Sequence, residues 1–416
     1  MPVRLAVIRR AGIAVSVAVL VPVSAAAMAG PVPGWRTVDV TARQGTFYAL
    51  TAADQRHAWA VGASFDAASS EFVPLIGRWN GAAWAAVGLP GTVRSVLGPL
   101  ALLDTAAASG PRSMWAFSFT GGWLHYDGSR WIAGIVPDVL VITASTVAAR
   151  KYAWSFGLRD TFHNPVPYSA YAADVKGQVR WTDKAIPGGT VVYGASAVSG
   201  SDLWAAGIGG PVLSPGSRAG RGAGAREVTA ALDGIAGSVS GKGAALRSGV
   251  LHYYAGRWHK AVPLPAAMRK NPATAIFARS DTDVWVGGAV RNAAGGTTEA
   301  VAHWNGRAWA LVKLPARASK TDYRVYAITT DGSAGLWVLA AWAACPGTNC
   351  AHGRASRLWH EQAGHWSGPV RPALTRHPAV LLSLAAAGRM VWAAGAAMLG
   401  EHNVRGLVAA WRQTRR

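Results

Sequence analysis

The sequence predicts an all-β chain folded as a seven-bladed propeller, on three observations. A tryptophan-centred element recurs seven times, hairpin turn dipeptides recur within the repeats, and the strand missing from the last repeat stands at the opposite end of the chain. Composition agrees. The 416 residues are 51% hydrophobic and 15% charged, with 20 Trp, whereas disordered chains have few aromatics and low hydrophobicity. The 49 Gly and 22 Pro are too many for a helical bundle.

The first repeated element is a turn, then Trp, then small or apolar residues often ending in Gly. It occurs at Trp59, Trp115, Trp154, Trp204, Trp285, Trp337 and Trp392. The second is an apolar strand, a tight turn and another Trp, ending at Trp84, Trp131, Trp181, Trp258, Trp309 and Trp366. Only six copies of the second exist. The seventh stops at Trp411, in the slot of Trp79 and Trp304, and its closing strand is supplied by Trp35–Val40. The span from Trp35 to Trp411 gives about 54 residues per repeat. Turn dipeptides such as Asn80-Gly81, Asp127-Gly128 and Asn305-Gly306 are strong hairpin signals. Four strands per repeat, with the N-terminal strand closing the last blade, leave no open edge in the ring. Blades 3 and 6 depart from the pattern, because the Trp304-like slot there is Lys176 or is displaced to Trp359.

Within Ser280–Trp309, Asp283-Val284-Trp285-Val286-Gly287 is followed by His303-Trp304-Asn305-Gly306-Arg307-Ala308-Trp309. Those residues resemble the repeats of secreted actinobacterial propellers, relatives of kelch and galactose-oxidase-like blades. The resemblance covers about 35–411 and implies the fold and an export route. It implies no single activity, because propellers host many functions.

Residues 1–29 read as a secretory signal peptide. Arg4, Arg9 and Arg10 precede an uncharged run from Ala11 to Ala29, and Ala27-Met28-Ala29 is a small-x-small cleavage site. Cleavage is expected after Ala29, with a retained anchor as the competing reading and the Arg9-Arg10 pair leaving the twin-arginine route open. The domain is then 30–416, secreted or held at the cell surface. Cys345 and Cys350, separated by four residues that include Pro346-Gly347, read as a disulfide in an exported protein. A metal clip is the rival, but His352 alone does not complete a zinc set.

With strands A to D counted from the axis outward, the B–C loops and D–A connections share one face. Loops on a rigid scaffold commonly carry function. The B–C loops fall near 63–74, 118–122, 158–168, 208–249, 289–299, 341–356 and 396–405. The fourth, Gly-, Ala- and Ser-rich, reads as a flexible insertion over about 211–249, with Arg226–Ile235 a candidate short helix. Candidate binding residues on this face are Arg159, Asp160, His163, Arg291, Arg354, Glu401, His402 and Arg405, with Trp123 and Trp342 as aromatic platforms outside the repeat pattern.

Other constellations point away from catalysis. His125, His252, His303 and His360 share one repeat position, which places them in different blades and reads as packing, not ligation. His360-Glu361 with His365 misses the HExxH spacing by one residue. Paired carboxylates for hydrolysis are not evident, and several acids, among them Asp54, Asp127 and Asp331, sit in turns. No GxSxG elbow and no cysteine nucleophile occurs. No cofactor or metal is called for.

Forty-one Lys and Arg stand against 20 Asp and Glu, a net +21. Removing 1–29 takes away three arginines and no acid, leaving +18. Such a charge suits an anionic cell-wall polymer, whereas no nucleic-acid reading motif is present. The expected function is therefore a non-catalytic, monomeric binder of a cell-surface or extracellular polysaccharide, polymer or protein through the B–C face. The alternative is a glycan-active or copper-dependent enzyme on a galactose-oxidase-like propeller.

Overall fold

The computed structural model describes residues 34–413 apart from 67, 70, 99–100, 149–151, 161–164, 176–177, 188, 210–246, 313, 316–321, 343–355, 371–377 and 401–402. The chain divides into Met1–Gly30 and Pro31–Arg416, and every described residue belongs to the second unit. Residues 1–29, Cys345, Cys350, His163, Arg354, Glu401, His402 and most of the blade 4 insertion lie outside the described residues. The insertion ends earlier than the sequence suggests, because 247–249 open the strand Arg247–Tyr254.

Among the described residues, 28 strands form seven four-stranded sheets, each paired antiparallel in chain order. Blade 1 runs outward through Thr46–Asp54, His57–Asp66, Glu71–Trp79 and Trp84–Ala86. The inner strands of blades 2 to 7 are Leu103–Gly110, Val139–Ala148, Val191–Ser199, Ala275–Ser280, Tyr323–Thr330 and Ala379–Ala387. Blade 7 continues through Met390–Gly400 and Asn403–Arg412, and its fourth strand is Trp35–Gln44. The closing register is that of the hairpins it imitates: Trp35 pairs with Trp411 as Trp84 pairs with Trp79 and Trp309 with Trp304.

Every seam between blades carries an apolar cluster and a hydrogen bond. The second-strand tryptophans are buried in these seams, with Trp59, Trp154, Trp337 and Trp392 among the largest fully buried side chains. Seam hydrogen bonds run from Leu50 N to Ser383 Oγ, from Ala108 N to Thr51 Oγ1, and from Ile142 N to the Phe119 carbonyl. They continue from Thr143 Oγ1 to the Val192 carbonyl, Ala278 N to Ser196 Oγ, Thr274 Oγ1 to the Val325 carbonyl and Leu381 N to Ser356 Oγ. Satisfying inner-strand groups across seams matters because an unmade buried hydrogen bond costs about 1–3 kcal/mol.

The four repeat histidines pack within their own blades. His125, His252, His303 and His360 stack on Trp115, Trp204, Trp285 and Trp337 with ring centroids 4.0, 3.9, 4.1 and 4.2 Å apart. In three of these blades an acid from the A–B turn binds the imidazole: Asp202 at 2.8 Å, Asp283 at 3.0 Å and Asp331 at 3.0 Å. Elsewhere the stacking place is taken by Arg78 over Trp59 and by Tyr171 against Trp154. Blade 6 departs from the sequence reading. The partner of Trp366 is Glu361, not Trp359, which instead lies buried and donates from Nε1 to Glu299.

Candidate functional site: a ring of inner-strand bulges

One backbone irregularity repeats around the ring on the innermost strands. In six inner strands the register against the second strand slips by one residue, leaving out Tyr48, Asp104, Thr143, Tyr193, Tyr326 and Leu382. In blade 5, Thr274 holds the same place, its N–H bonded to the Gly287 carbonyl. A bulge re-aims the extra side chain out of the pleat. Each slipped residue stands three positions before the inner-strand residue opposite the second-strand tryptophan, as Tyr48 stands before Thr51 and Tyr193 before Ser196. All seven therefore lie at one height, near the end where B–C loops emerge.

In five blades a glycine accommodates the close approach of the inner strand at the bulge. The Thr46 carbonyl closes on Gly62, where a Cβ would collide with it. Gly157, Gly207, Gly288 and Gly395 receive the Val141, Val191, Pro272 and Val380 carbonyls in the same way. The glycine three residues after the second-strand tryptophan is thus a mark of the ring in five of the seven blades. Blades 2 and 6 carry Ser118 and Ala340 there.

The side chains differ in what they do. Thr143 and Thr274 turn their hydroxyls into the seams, whereas Tyr193 packs against Val141 and Leu158 of blade 3 and Leu382 against Val380 and Met398. Burial pushes the Tyr193 phenol up to about 12, with the Arg324 guanidinium opposing the shift, and burial likewise raises Tyr326 against the same guanidinium. Tyr193 belongs to blade 4 and Tyr326 and Arg324 to blade 6, so one guanidinium acts on phenols of two blades. Burial also raises Tyr48, and the Asp104 carboxylate on the next blade adds to that shift.

Asp104 is the acid of the ring. Its Oδ1 is buried and has no hydrogen-bond partner, although the residue as a whole is only half-buried, as befits the wall of a narrow space. Burial pushes its carboxyl up to about 8, partly offset by backbone N–H groups of Asp104, Phe119 and Thr105. Three phenols, a guanidinium and an acid give the axial end hydrogen-bond donors, acceptors and aromatic faces. Among the described residues, no group of three or more His, Cys, Asp or Glu is placed to hold a metal ion.

Solved structures of known proteins share this fold. No protein-family model and no curated protein matches the sequence. A solved structure described as YCF48 bound to D1 peptide is 13% identical, with a TM-score of 0.53, over 92% of this chain and 97% of that one. The RRP9 WD40 repeats are 10% identical, TM-score 0.54, over 92% and 99%. The β-propeller domain of Myceliophteria thermophila Cps50 (Swd1) is 9% identical, TM-score 0.51, over 90% and 99%. This chain is a seven-bladed propeller with WD40 structural neighbours. At such identities the likeness extends to the fold alone.

The residues singled out in the sequence are spread around the rim. Arg159 forms a two-pronged ion pair with Asp183, 2.6 and 2.9 Å, and lies 5.3 Å from the Tyr168 ring. That hydrogen-bonded pair raises the arginine and lowers the aspartate. Asp160 ends the same strand opposite Pro165. Arg291 is exposed opposite Thr297, Arg405 Nε donates to Asn403 Oδ1 at 3.1 Å, and Trp342 ends its strand opposite Tyr323. They occupy blades 3, 5, 6 and 7.

Trp123 requires a correction. It is 7% exposed, packed between Trp115 and Trp181 in the blade 2–3 seam, with Gly134 leaving room for its indole. A ring filling a seam offers no face to a ligand. The sequence reading missed the bulge residues because they share no residue type; only the recurrent glycine opposite them betrays their position.

Proposed function

We propose that the protein is a non-catalytic binding scaffold that holds a peptide or protein partner against the axial end lined by Tyr48, Asp104, Tyr193, Arg324 and Tyr326. The observation that carries this reading is the ring of bulges, which sets polar and aromatic residues of blades 1, 2, 4 and 6 at one height on the inner strands. The D1 peptide bound to the YCF48 neighbour, a propeller of the same extent, supports a peptide-like ligand. Aromatic and arginine side chains are also the types that most often anchor interfaces. The Ser280–Trp309 repeat and the leader-like 1–29 support placing the protein among secreted, kelch-like propellers, at or outside the cell surface.

The test is binding of the purified protein to a displayed peptide library, purified cell walls and polysaccharides across a salt series, beside Tyr193→Ala/Tyr326→Ala. Peptide binding that persists at high salt and is lost in the double variant, with the melting temperature retained, is the expected result. Purely electrostatic binding fades as salt shortens the Debye length. Binding of that kind, indifferent to the two tyrosines, would replace the axial reading with attraction of a basic surface to an anionic polymer.

A further inference from the structure

Three outer hairpins turn in the same way. In blades 1, 2 and 5 the third and fourth strands are joined by Asn80-Gly81-Ala82-Ala83, Asp127-Gly128-Ser129-Arg130 and Asn305-Gly306-Arg307-Ala308. The first residue of each turn donates its N–H to the carbonyl of the fourth, at 3.3, 3.2 and 3.4 Å. Its side-chain oxygen accepts from the N–H groups of the third and fourth residues. Those bonds are 2.9 and 3.0 Å at Asn80, 2.9 and 2.9 Å at Asp127, and 3.0 and 3.0 Å at Asn305. The second residue has φ of +98°, +97° and +88°, which glycine adopts at no steric cost. The backbone thus calls for glycine at the second place, whatever stands at the first.

Where the first residue is asparagine, the turn assembles a reactive step. Glycine has no Cβ to shield its nitrogen, and the bonds that hold the asparagine oxygen fold the amide forward over that nitrogen. The same two N–H groups draw electron density away from Cγ. Asn80, Gly81 and Asn305 are exposed and Gly306 is partly so. Among the described residues, neither Gly81 N nor Gly306 N donates a hydrogen bond. No other asparagine in the sequence precedes glycine.

Two other positions bound the chemistry. Asp127 holds the asparagine's place in blade 2 with the same acceptor bonds, and also accepts from Ser129 Oγ at 2.7 Å and Arg130 Nε at 3.1 Å. Against a cost of burial, the N–H groups and side chains of Arg130 and Ser129 hold its carboxyl well below the usual carboxylate range. A carboxylate resists attack by an amide nitrogen, so Asp127-Gly128 is inert where Asn-Gly is not. Asn292 Oδ1 accepts from Ala294 N at 2.9 Å, but Ala293 follows it, and a Cβ there crowds the attacking nitrogen.

We propose that Asn80 and Asn305 are sites of spontaneous deamidation, and that the turn directs each product to aspartate in place of isoaspartate. The glycine nitrogen, having given its proton to hydroxide, bonds to Cγ. The bond from Cγ to Nδ2 breaks, and the departing nitrogen takes a proton from water and leaves as ammonia. Water then opens the succinimide ring. Opening at Cγ restores the main chain and leaves an aspartate, whereas opening at the main-chain carbon reroutes the chain through Cβ. Only the first product keeps the span from Trp79 to Trp84, or Trp304 to Trp309, and leaves an oxygen where the turn's N–H groups meet it, as at Asp127. These turns lie at the end away from the bulges, so the reaction is independent of any ligand at the axial end.

The experiment incubates the purified protein at pH 8.5, folded and in concentrated urea, and follows each site by peptide mass spectrometry and isoaspartyl methyltransferase labelling. Exposed turns react without global unfolding, so Asn80 and Asn305 should convert in the folded protein within about ten-fold of their rates in urea. Asn292 should keep its amide. Aspartate should outweigh isoaspartate in the folded sample and the order should reverse in urea. Asn80→Asp and Asn305→Asp should melt with the parent. Retention of both amides in the folded protein while urea converts them overturns the proposal. Isoaspartate predominating in the folded sample, equal conversion of Asn292, or a lowered melt in either aspartate variant does so too.

Discussion

Asp104 carries a consequence for stability that binding does not. Its folded-state carboxyl lies at about 8 against an ordinary value of 3.8. Between those values the folded protein holds a proton that the unfolded chain has released, so stability falls as pH rises, by up to about 1.4 kcal/mol per pH unit. Thermal melts from pH 4.5 to 8.5 should therefore show a declining trend that is shallower in Asp104→Asn, which cannot ionise; parallel curves would contradict the assignment. Glu299 presents the opposite case. Its side chain is fully buried, accepts from Arg357 at 3.1 Å and Trp359 at 3.2 Å, and the guanidinium lies 3.6 Å from the Tyr323 ring centre. Glu299→Ala leaves a buried arginine uncompensated and should cost about 3–5 kcal/mol, measured by urea unfolding. Neither residue was legible as such. Glu299 reads in the sequence as one acid in a variable loop, and Asp104 as an ordinary acid in an alanine-rich strand, since burial and pairing across a seam leave no local pattern.

At the level of strands, what the sequence reveals is what repeats in residue type. Tryptophan, the Asn-Gly and Asp-Gly turns and the histidine six residues before a closing tryptophan each answer a local steric demand, and all were visible. The bulges answer a backbone demand and show in the sequence only as the glycine that accepts them in five blades, while Ser118 and Ala340 take that place in blades 2 and 6. Gly62→Ala tests that account: a methyl there meets the Thr46 carbonyl, which moves only with the inner strand. Destabilisation of about 1–3 kcal/mol is expected, the usual range for overpacking, together with an altered tyrosine environment in near-ultraviolet circular dichroism. A neutral substitution would show that the bulge is not set by this contact. Trp123 marks the converse limit. Standing outside the repeat pattern in sequence, it is framework all the same, because blade 2 uses its third strand to fill the seam toward Trp181.

For the molecule as a whole, closure rests on Trp35–Gln44. Without that strand, the outer edge of Asn403–Arg412 would present unpaired N–H and C=O groups, an invitation to pair with another chain. A chain beginning at Gly45 should lose its single cooperative melt and associate on size-exclusion chromatography, whereas a monomer with an unchanged melt would show that blade 7 stands on three strands. The order of the strands was evident from the missing seventh hairpin. The early end of the blade 2 second strand at Ser118 was not, since strand ends are the least patterned part of the chain.

The pairing of Trp35 with Trp411 also fixes an orientation. Both residues lie at the C–D turn end of blade 7, whereas Tyr48, Asp104 and Tyr193 stand at the other end of the axis. Any bead, chip or fusion partner fastened through either flank of 34–413 is thus met by the same pole of the disc. The opposite pole, where the inner-strand bulges lie, is left facing the solution like a dish on its mount.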